Sequence, residues 1–264
     1  IKLTDYKKHL LKEIEFFNKN NYYSFINQKN ILDSPKYIPS YEITPTVRRI
    51  LREYPKLSSI TDVKRCIATG KDDLFIRYWF EVNNNLINYP YRKKRDKKWF
   101  FVANGGNYKK WYGNILNVLN WENEGKLIKQ MHNENIISAT LRNVDYMFKN
   151  AITYTYTSMS SGIFNARYLG SGFASLGVGP IMTLDENENN LGILGYVNSK
   201  VFSYLYHLMY GKTSTFETGK VGSVPFNPKL FESNLNNLTK ACVAIVKENW
   251  DSYELSWEFK INPL

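Results

Sequence analysis

The chain has 264 residues, of which 43% are hydrophobic and 16% aromatic, and its formal net charge is +11 at pH 7. This length and apolar content exclude a disordered chain and predict one large globular domain or two small ones. The excess of positive charge favours a polyanionic partner, either nucleic acid or an acidic membrane surface. No run of about 18 apolar residues is present to cross a bilayer, so we expect nucleic acid rather than a membrane.

The two cysteines, Cys66 and Cys242, are too few for a disulfide framework or a structural zinc site, and the three histidines are scattered. The N-terminal segment is charged throughout and lacks the apolar core of a signal peptide. These features predict a cytoplasmic protein without a metal. Because the sequence starts at Ile1 rather than at a methionine, we expect it to be a fragment of a larger protein.

The first predicted elements are two helices and a strand. Residues 4–17 have the spacing of an amphipathic helix with Thr4 as its N-cap. A second helix is predicted to begin after Thr44, with Pro45 at its first position. Residues 74–82 alternate between two faces, which predicts a strand.

Further along, strands are predicted at 98–104 and 151–157, and helices at 191–209 and 234–250. The buried face of the first of these helices is expected to include Val201, Tyr204 and Leu208; that of the second, Leu238 and Ile245. Strands and helices do not alternate regularly, and no repeat is visible. The predicted class is therefore α+β, a mixed, twisted sheet with flanking helices.

Three segments resemble phosphate-binding, nucleotide-binding or nuclease motifs, but each resemblance is incomplete or weak. The segment GKTS, residues 211–214, ends like a phosphate-binding loop, but Tyr206 occupies the position of its first glycine. In GSGFASLGVG, Ser175 replaces the third glycine of a nucleotide-binding turn, so these glycines are expected to form turns between strands. Glu258 and Lys260 weakly resemble a metal-dependent nuclease motif, an alternative that stays open.

Two neighbouring segments favour nucleic-acid binding. Residues 92–98, RKKRDKK, carry six positive charges and one negative, and are expected either to contact phosphates or to form a solvated loop. Residues 104–114, NGGNYKKWYGN, combine glycines for close approach with amides and flat aromatic faces for bases. The alternative for this second segment is a hairpin whose aromatic side chains pack inward, which we expect for at least one of them.

Several motifs resemble, in order, the region downstream of the catalytic core in PglX-type adenine-specific DNA methyltransferases of BREX phage-defence systems. Related enzymes that fuse restriction and modification look similar. The resemblance covers about residues 38–264. It rests on SSITDVKRCIATGKDDLFIRYWFEV, GGNYKKWYGN, FNARYLGSGF, LGILGYVNSKV, TSTFETGKVGSVPF and WDSYELSWEFKINPL.

The resemblance implies a domain that selects the DNA sequence to be methylated, similar to the target recognition domains of type I restriction specificity subunits. It divides the chain into a helical connector at 1–33, a recognition domain at 34–230 and a spacer helix with the start of a C-terminal region at 231–264. The implied partners are double-stranded DNA, the methyltransferase domain of the same chain and other subunits of the defence system. A basic module that docks onto an acidic protein is the alternative.

The family's catalytic motif, an Asn or Asp followed by two prolines and an aromatic residue, has no counterpart, because none of the nine prolines are adjacent. We therefore expect no cofactor in this chain and no activity from it alone. S-adenosylmethionine would bind elsewhere in the parent enzyme, whose catalytic domain would receive a flipped adenine.

Composition and resemblance together give one set of candidate DNA-binding residues. Lys109 departs from the arginine usual in the family, which favours a phosphate contact over a base contact there. Gly70, Phe75, Gly113 and Gly172 are expected to maintain the fold instead. The candidates are Lys71, Arg77, Arg92, Lys93, Lys94, Arg95, Asn107, Tyr108, Lys109, Lys110, Trp111, Asn114, Arg167, Lys212 and Ser214.

Overall fold

A computed structural model of the chain describes residues 2–4, 23–25, 43–92, 94–158, 163–184 and 191–262. Its strands are short and numerous. In chain order they are β1 Lys2–Thr4, β2 Tyr23–Phe25, β3 Val63–Lys64, β4 Ile76–Tyr78, β5 Ile87–Asn88, β6 Trp99–Ala103, β7 Asn117–Asn120, β8 Ala151–Tyr154, β9 Ala166–Gly170, β10 Ala174–Ser175 and β11 Ile181–Thr183.

The helices are concentrated in the last third of the described chain. They are α1 Pro45–Glu53, α2 Asp72–Phe75, α3 Glu122–Asn133, α4 Gly192–Val197, α5 Lys200–Tyr210, α6 Thr218–Gly222 and α7 Leu235–Asp251. No helix in the described ranges has both the length and the apolar character needed to cross a membrane.

Within the described residues the strands form three sheets. β1 and β2 form an antiparallel pair. The second sheet has the order β10-β6-β7-β4, with β5 also paired to β6, and mixes parallel and antiparallel contacts. The third is antiparallel, in the order β3-β11-β8-β9. The α+β class is confirmed, with two larger sheets where one was expected.

Two clusters of buried side chains form the core. One surrounds β6, all of whose residues are buried; there the Phe101 ring lies 5.0 Å from that of Trp257. The other joins the third sheet to α4, α5 and α7, and centres on Phe164, which packs against Phe202 and Phe216. Side chains of α7 complete this second cluster, so the C-terminal helix is part of the packed structure.

The predicted start of α1 is confirmed. The Thr44 hydroxyl accepts a hydrogen bond of 3.3 Å from the Val47 amide, and Pro45 is the first helical residue. The capping side chain satisfies one of the amides that a helix N-terminus leaves without a partner. The helix predicted at 4–17 lies outside the described residues except for Thr4, which ends β1.

The strand predicted at 74–82 is wrong over most of its length. Its first two residues belong to α2, β4 covers only Ile76–Tyr78, and a 3-10 turn follows at Trp79–Glu81. The Glu81 carboxylate accepts a hydrogen bond of 2.8 Å from the Tyr78 amide. This local contact caps the turn and ends the strand, which residue alternation alone does not show.

The helix predicted at 191–209 is two helices separated at Asn198 and Ser199. The Asn198 side chain makes hydrogen bonds of 2.9 Å to both the amide and the carbonyl of Ala166, and the Ser199 hydroxyl caps α5. The break changes which face is buried, so Val201 and Tyr204 are exposed.

The helix predicted at 234–250 is confirmed as α7. The buried face predicted for this helix is only partly right. Leu238 and Ile245, which were expected to be buried, are exposed, whereas Val243 and Trp250 are buried.

Candidate nucleic-acid interface

The loop at residues 104–114 connects β6 to β7, but it is held by a different sheet. The Trp111 amide donates a hydrogen bond of 2.9 Å to the Ala166 carbonyl, and the Tyr168 amide donates one of 2.8 Å to the Trp111 carbonyl. Trp111 has a left-handed backbone, with φ of 75°. β9 therefore fixes the middle of the loop in a shape that the loop sequence could not impose alone.

Arg167, on β9, lies beneath this loop rather than at the surface. Only 1% of it is exposed, and its guanidinium donates to the carbonyls of Gly105 at 3.2 Å and Lys109 at 3.3 Å. It also donates to the side-chain oxygens of Thr155 and Asn165. Burial lowers the pKa of Arg167 to about 10. The expected DNA contact is thus corrected: Arg167 is buried where no ligand reaches it, and it holds the loop.

The two loop lysines also point towards the protein. The Lys109 ammonium lies 4.4 Å from the centre of the Trp250 ring, and that of Lys110 donates a hydrogen bond of 2.7 Å to the Asn198 carbonyl. Burial lowers the pKa of both lysines, and the Arg167 charge lowers that of Lys109 further. Both groups are partly exposed, but their first contacts are with this chain.

The outer edge of the loop presents amide and aromatic groups. Gly106, Asn107 and Tyr108 are exposed, and the Asn114 amide nitrogen donates to the Asn107 carbonyl at 2.7 Å. Tyr112, in contrast, is buried, which confirms that at least one aromatic residue of the loop packs inward. Hydrogen-bonding groups and a flat ring are therefore displayed at the tip of a loop held from below.

Further amides extend this edge across the end of the second sheet. The Asn104 amide nitrogen donates to the Asn117 side-chain oxygen at 3.2 Å, and the Asn117 nitrogen lies 3.5 Å from the Arg77 carbonyl. The half-buried Arg77 guanidinium donates to the carbonyls of Asp73 and Ile76. The structure thus brings Arg77 close to the loop, although 27 positions separate residues 77 and 104.

The segment 155–158, which continues β8, connects the loop to two more candidates. The Thr155 hydroxyl donates to the Gly106 carbonyl at 3.3 Å, and the Ser158 amide donates to the Ser214 carbonyl at 2.7 Å. Ser214 and Lys212 are both exposed. Ser214 is therefore connected to the loop through this segment, and Lys212 lies two residues before it in the chain.

The basic run at 92–98 lies elsewhere. It precedes Trp99 at the start of β6, whereas the loop follows Ala103 at its end, and a five-residue strand spans roughly 15 Å. Arg92, Lys94 and Arg95 are exposed, with Lys94 paired to Asp96 at 3.0 Å; Lys93 lies outside the described residues. Lys71 is also exposed, at the start of α2. The run and the loop therefore form two separate surfaces.

The fold brings together three basic residues that sequence reasoning did not select, with the acidic Glu217 beside them. A cavity of about 400 Å³ is lined by Lys64, Arg65 and Arg142, together with Tyr156. The Arg65 guanidinium lies 4.2 Å from the centre of the Tyr156 ring, and its Nε donates to the Gly177 carbonyl at 2.8 Å. Lys64 and Arg65 lie within the motif SSITDVKRCIATGKDDLFIRYWFEV, but nothing in it singles them out, and Arg142 lies in none of the motifs quoted above. The fold brings the three residues together from distant segments.

The glycine-rich segment forms turns between strands, as predicted. Gly170 and Gly172 have left-handed backbones at the turn from β9 to β10. A side chain at Gly172 would place its Cβ 2.5 Å from the Pro90 carbonyl oxygen. The family expectation that Gly172 maintains the fold thus has a physical reason in this close backbone approach.

The nuclease alternative has no support in the described part of the chain. Lys247 forms ion pairs with Asp251, at 2.5 Å, and with Glu258, so both carboxylates are already paired with a cation of this chain. Ser256 also donates a hydrogen bond of 2.6 Å to Asp251. Lys260 is exposed, and no group of three or more metal-ligating side chains occurs within the described ranges.

Comparisons with known proteins identify relatives. No protein-family model matches the chain. It is 33% identical over 218 residues to the adenine-specific methyltransferase PglX of Lacticaseibacillus casei (strain Zhang), covering 79% of this chain and 18% of that protein. It is 33% identical over 263 residues to the adenine-specific methyltransferase BrxX of Escherichia coli O9:H4 (strain HS), covering 97% of this chain and 21% of that protein.

The chain spans about a fifth of the length of these curated relatives. The resemblance seen in the sequence motifs is confirmed to this extent: the chain is homologous to part of the adenine-specific methyltransferases PglX and BrxX.

Proposed function

We propose that this chain is the target recognition region of an adenine-specific DNA methyltransferase in a BREX-type phage-defence system. The observation that carries the proposal is the exposed tip of the 104–114 loop, held by the buried Arg167, in a chain homologous to adenine-specific methyltransferases. The proposed divisions at 1–33, 34–230 and 231–264 belong to the same proposal.

The chemistry of the loop surface suits duplex DNA. Amide groups such as those of Asn107 and Asn114 can donate to and accept from base edges, and the exposed Tyr108 ring adds a flat apolar face. Arg65 and Lys212 supply positive charge beside the loop for phosphate contacts. In this arrangement the cations give affinity, and the loop tip gives sequence preference.

The catalytic chemistry belongs to the rest of the parent enzyme. S-adenosylmethionine would supply the methyl group there, and the present chain would hold the DNA so that one adenine reaches the distant site. Its partners are then double-stranded DNA, the methyltransferase domain and further defence subunits.

The decisive experiment is fluorescence anisotropy with a mixed-sequence duplex at about 50 mM and about 200 mM salt. Several phosphate contacts predict an affinity roughly ten-fold or more weaker at the higher salt. Arg65→Gln is expected to weaken binding and to reduce the slope of log affinity against log salt by about 1. Arg49→Gln, which removes an exposed charge from α1, is the matched control and should leave the slope unchanged.

If this chain alone does not bind duplex DNA, the same titration with the full-length parent enzyme decides how that result is read. If neither this chain nor the full-length parent binds duplex DNA at low salt, the proposal is wrong. Binding of an acidic protein instead would identify the chain as the alternative docking module. If only the parent binds, and Arg65→Gln in the parent does not weaken that binding, the cations named here are not the contact surface.

A further inference from the structure

An exposed aromatic surface lies at the end of β4 and in the turn that follows it. The Tyr78 and Phe80 rings are parallel to within 2°, with their centres 5.3 Å apart. The two side chains are nevertheless 46% and 53% exposed. Their contact with each other therefore leaves much apolar surface in water, and contiguous exposed apolar surface is typical of interaction sites.

Two exposed residues of the C-terminal segment extend this surface. The Trp79 indole nitrogen donates a hydrogen bond of 3.0 Å to the Leu255 carbonyl, and the Trp79 ring lies against that of Phe80, with centres 5.7 Å apart. Leu255 is exposed, as is Tyr253 two positions earlier. Trp79 thus joins the two segments. We call the exposed members the aromatic patch: Tyr78, Phe80, Tyr253 and Leu255.

The aromatic patch is held in position from below. The Trp79 amide donates a hydrogen bond of 3.0 Å to the Leu116 carbonyl, which continues the contact between β4 and β7 beyond Tyr78. The Trp79 side chain packs against the buried cluster around β6. The Glu81 carboxylate caps the turn, as described above. A surface that is already formed loses little conformational entropy when a partner covers it.

The aromatic patch adjoins the 104–114 loop. Tyr78 lies directly opposite Asn117 in the pairing of β4 with β7, and residues opposite each other on neighbouring strands point to the same face of a sheet. The Asn117 side-chain oxygen in turn accepts a hydrogen bond from Asn104, the first residue of the loop. A partner seated on the patch would therefore stand beside the edge of the loop.

Charge around the aromatic patch is negative, in contrast to the rest of the chain. Residues 71–86 and 253–255 carry four acidic side chains, although the whole chain has a net charge of +11. Such a local excess of negative charge repels phosphates and favours a protein partner with a basic rim. The acidic residues are Asp72, Asp73, Glu81 and Glu254, and the two basic residues of these segments are Lys71 and Arg77.

We propose that the aromatic patch is the docking surface for the part of the parent methyltransferase that lies outside this chain, and that it receives an apolar surface with a basic rim. Aromatic side chains surrounded by charged groups are the usual composition of a protein interface. Because this chain spans about a fifth of the length of its curated relatives, most of such a protein remains to supply that surface. The identity of the partner rests on the proposed function, and docking here would bring that partner to the DNA held by the loop.

The test is the rate at which a maleimide labels the cysteine of Phe80→Cys, in this chain alone and in the full-length parent, both without DNA. We expect labelling to be at least roughly ten-fold slower in the parent, which corresponds to a docked state favoured by about ten to one. Val201→Cys, at an α5 side chain of similar exposure, is the matched control and should react at similar rates in both proteins. Mass spectrometry of the labelled peptides separates these sites from Cys66 and Cys242, and thermal unfolding shows that each variant is folded.

Equal labelling rates for Phe80→Cys in the two proteins, or the same slowing at both positions, would overturn the proposal. Two other occupants have their own signatures in this chain alone. Slowing by duplex DNA as strong as that in the parent would assign the patch to DNA, and slowing as the chain is concentrated would assign it to a second copy; either result contradicts the proposal.

The basic rim of the partner is tested by adding Glu254→Lys to the Phe80→Cys parent. Repulsion between like charges should weaken docking and speed the labelling, whereas an unchanged rate would contradict a basic partner. Phe80→Glu in this chain should leave its affinity for duplex DNA unchanged. Because labelling is measured without DNA and duplex affinity without the rest of the parent, failure of one proposal is distinguishable from failure of the other.

Discussion

The Lys109 ammonium lies 4.4 Å from the centre of the Trp250 ring, a contact between the 104–114 loop and the last turns of α7. Lys247, one turn earlier on α7, lies over the Tyr112 ring at 5.0 Å. The loop is thus supported by α7 from one side and by Arg167 on β9 from another. A change in α7 should therefore alter the presentation of the loop.

The Lys109–Trp250 contact can be measured by a double-mutant cycle with Lys109→Met and Trp250→Leu. We expect a coupling free energy of about 0.5–1 kcal/mol, because a partly exposed cation over an indole ring contributes that much. Urea unfolding of the two single variants and the double variant gives this value. Additive effects would show that the lysine gains nothing from the ring.

Gly113 should tolerate no side chain. Its φ is +108°, and a Cβ there would lie 2.9 Å from both the Trp250 ring and the Lys109 Cδ. Gly113→Ala is therefore expected to lower the free energy of unfolding by about 2–3 kcal/mol, through backbone strain and overpacking together. Gly219→Ala is the matched control, since nothing lies within 4 Å of a Cβ there. It should be neutral or stabilise by about 0.5–1 kcal/mol. Equal loss in both variants would contradict this account of the loop.

Local patterns predicted the fold class, the capped start of α1, β6 and α7, because those features depend on residues close together in sequence. They failed where contacts between distant segments decide the outcome. The helix break at Asn198 is fixed by hydrogen bonds to Ala166, 32 positions away. Arg167 shows the same limit for the site. Its charge suggested a DNA contact, but its burial depends on acceptors in the 104–114 loop and at Thr155 as well as on the nearby Asn165. The cluster of Arg65 with Tyr156 could not be predicted for the same reason.

Arg167 gives a prediction that separates support of the loop from contact with DNA. Arg167→Met removes the hydrogen bonds to the Gly105 and Lys109 carbonyls and to the Thr155 and Asn165 side chains, and should lower the free energy of unfolding by about 3 kcal/mol. It should also weaken duplex binding at every salt concentration, because the loop loses its shape. Its salt slope should equal that of the unaltered chain, in contrast to Arg65→Gln, since Arg167 meets no phosphate. A slope reduced by about 1 would instead make Arg167 a phosphate contact.

Tyr112 predicts how stability responds to alkaline pH. Burial raises its pKa to about 12, with the Lys247 charge opposing this and Glu258 adding to it. In the unfolded chain a tyrosine loses its proton near pH 10, so between about pH 10 and 12 the folded state holds a proton that the unfolded state has released. The ionisation of Tyr112 therefore leaves the free energy of unfolding unchanged below about pH 10 and lowers it above that pH, by up to about 1.4 kcal/mol per pH unit for this one group.

A phenylalanine at position 112 cannot titrate, so the free energy of unfolding of Tyr112→Phe should fall less steeply between about pH 10 and 12. Urea unfolding at several alkaline pH values makes the comparison, and Tyr108→Phe, at an exposed tyrosine of the same loop, is the control expected to keep the full slope. A Tyr112→Phe slope as steep as that of the unaltered chain would show that Tyr112 is not protected from ionisation in the folded state.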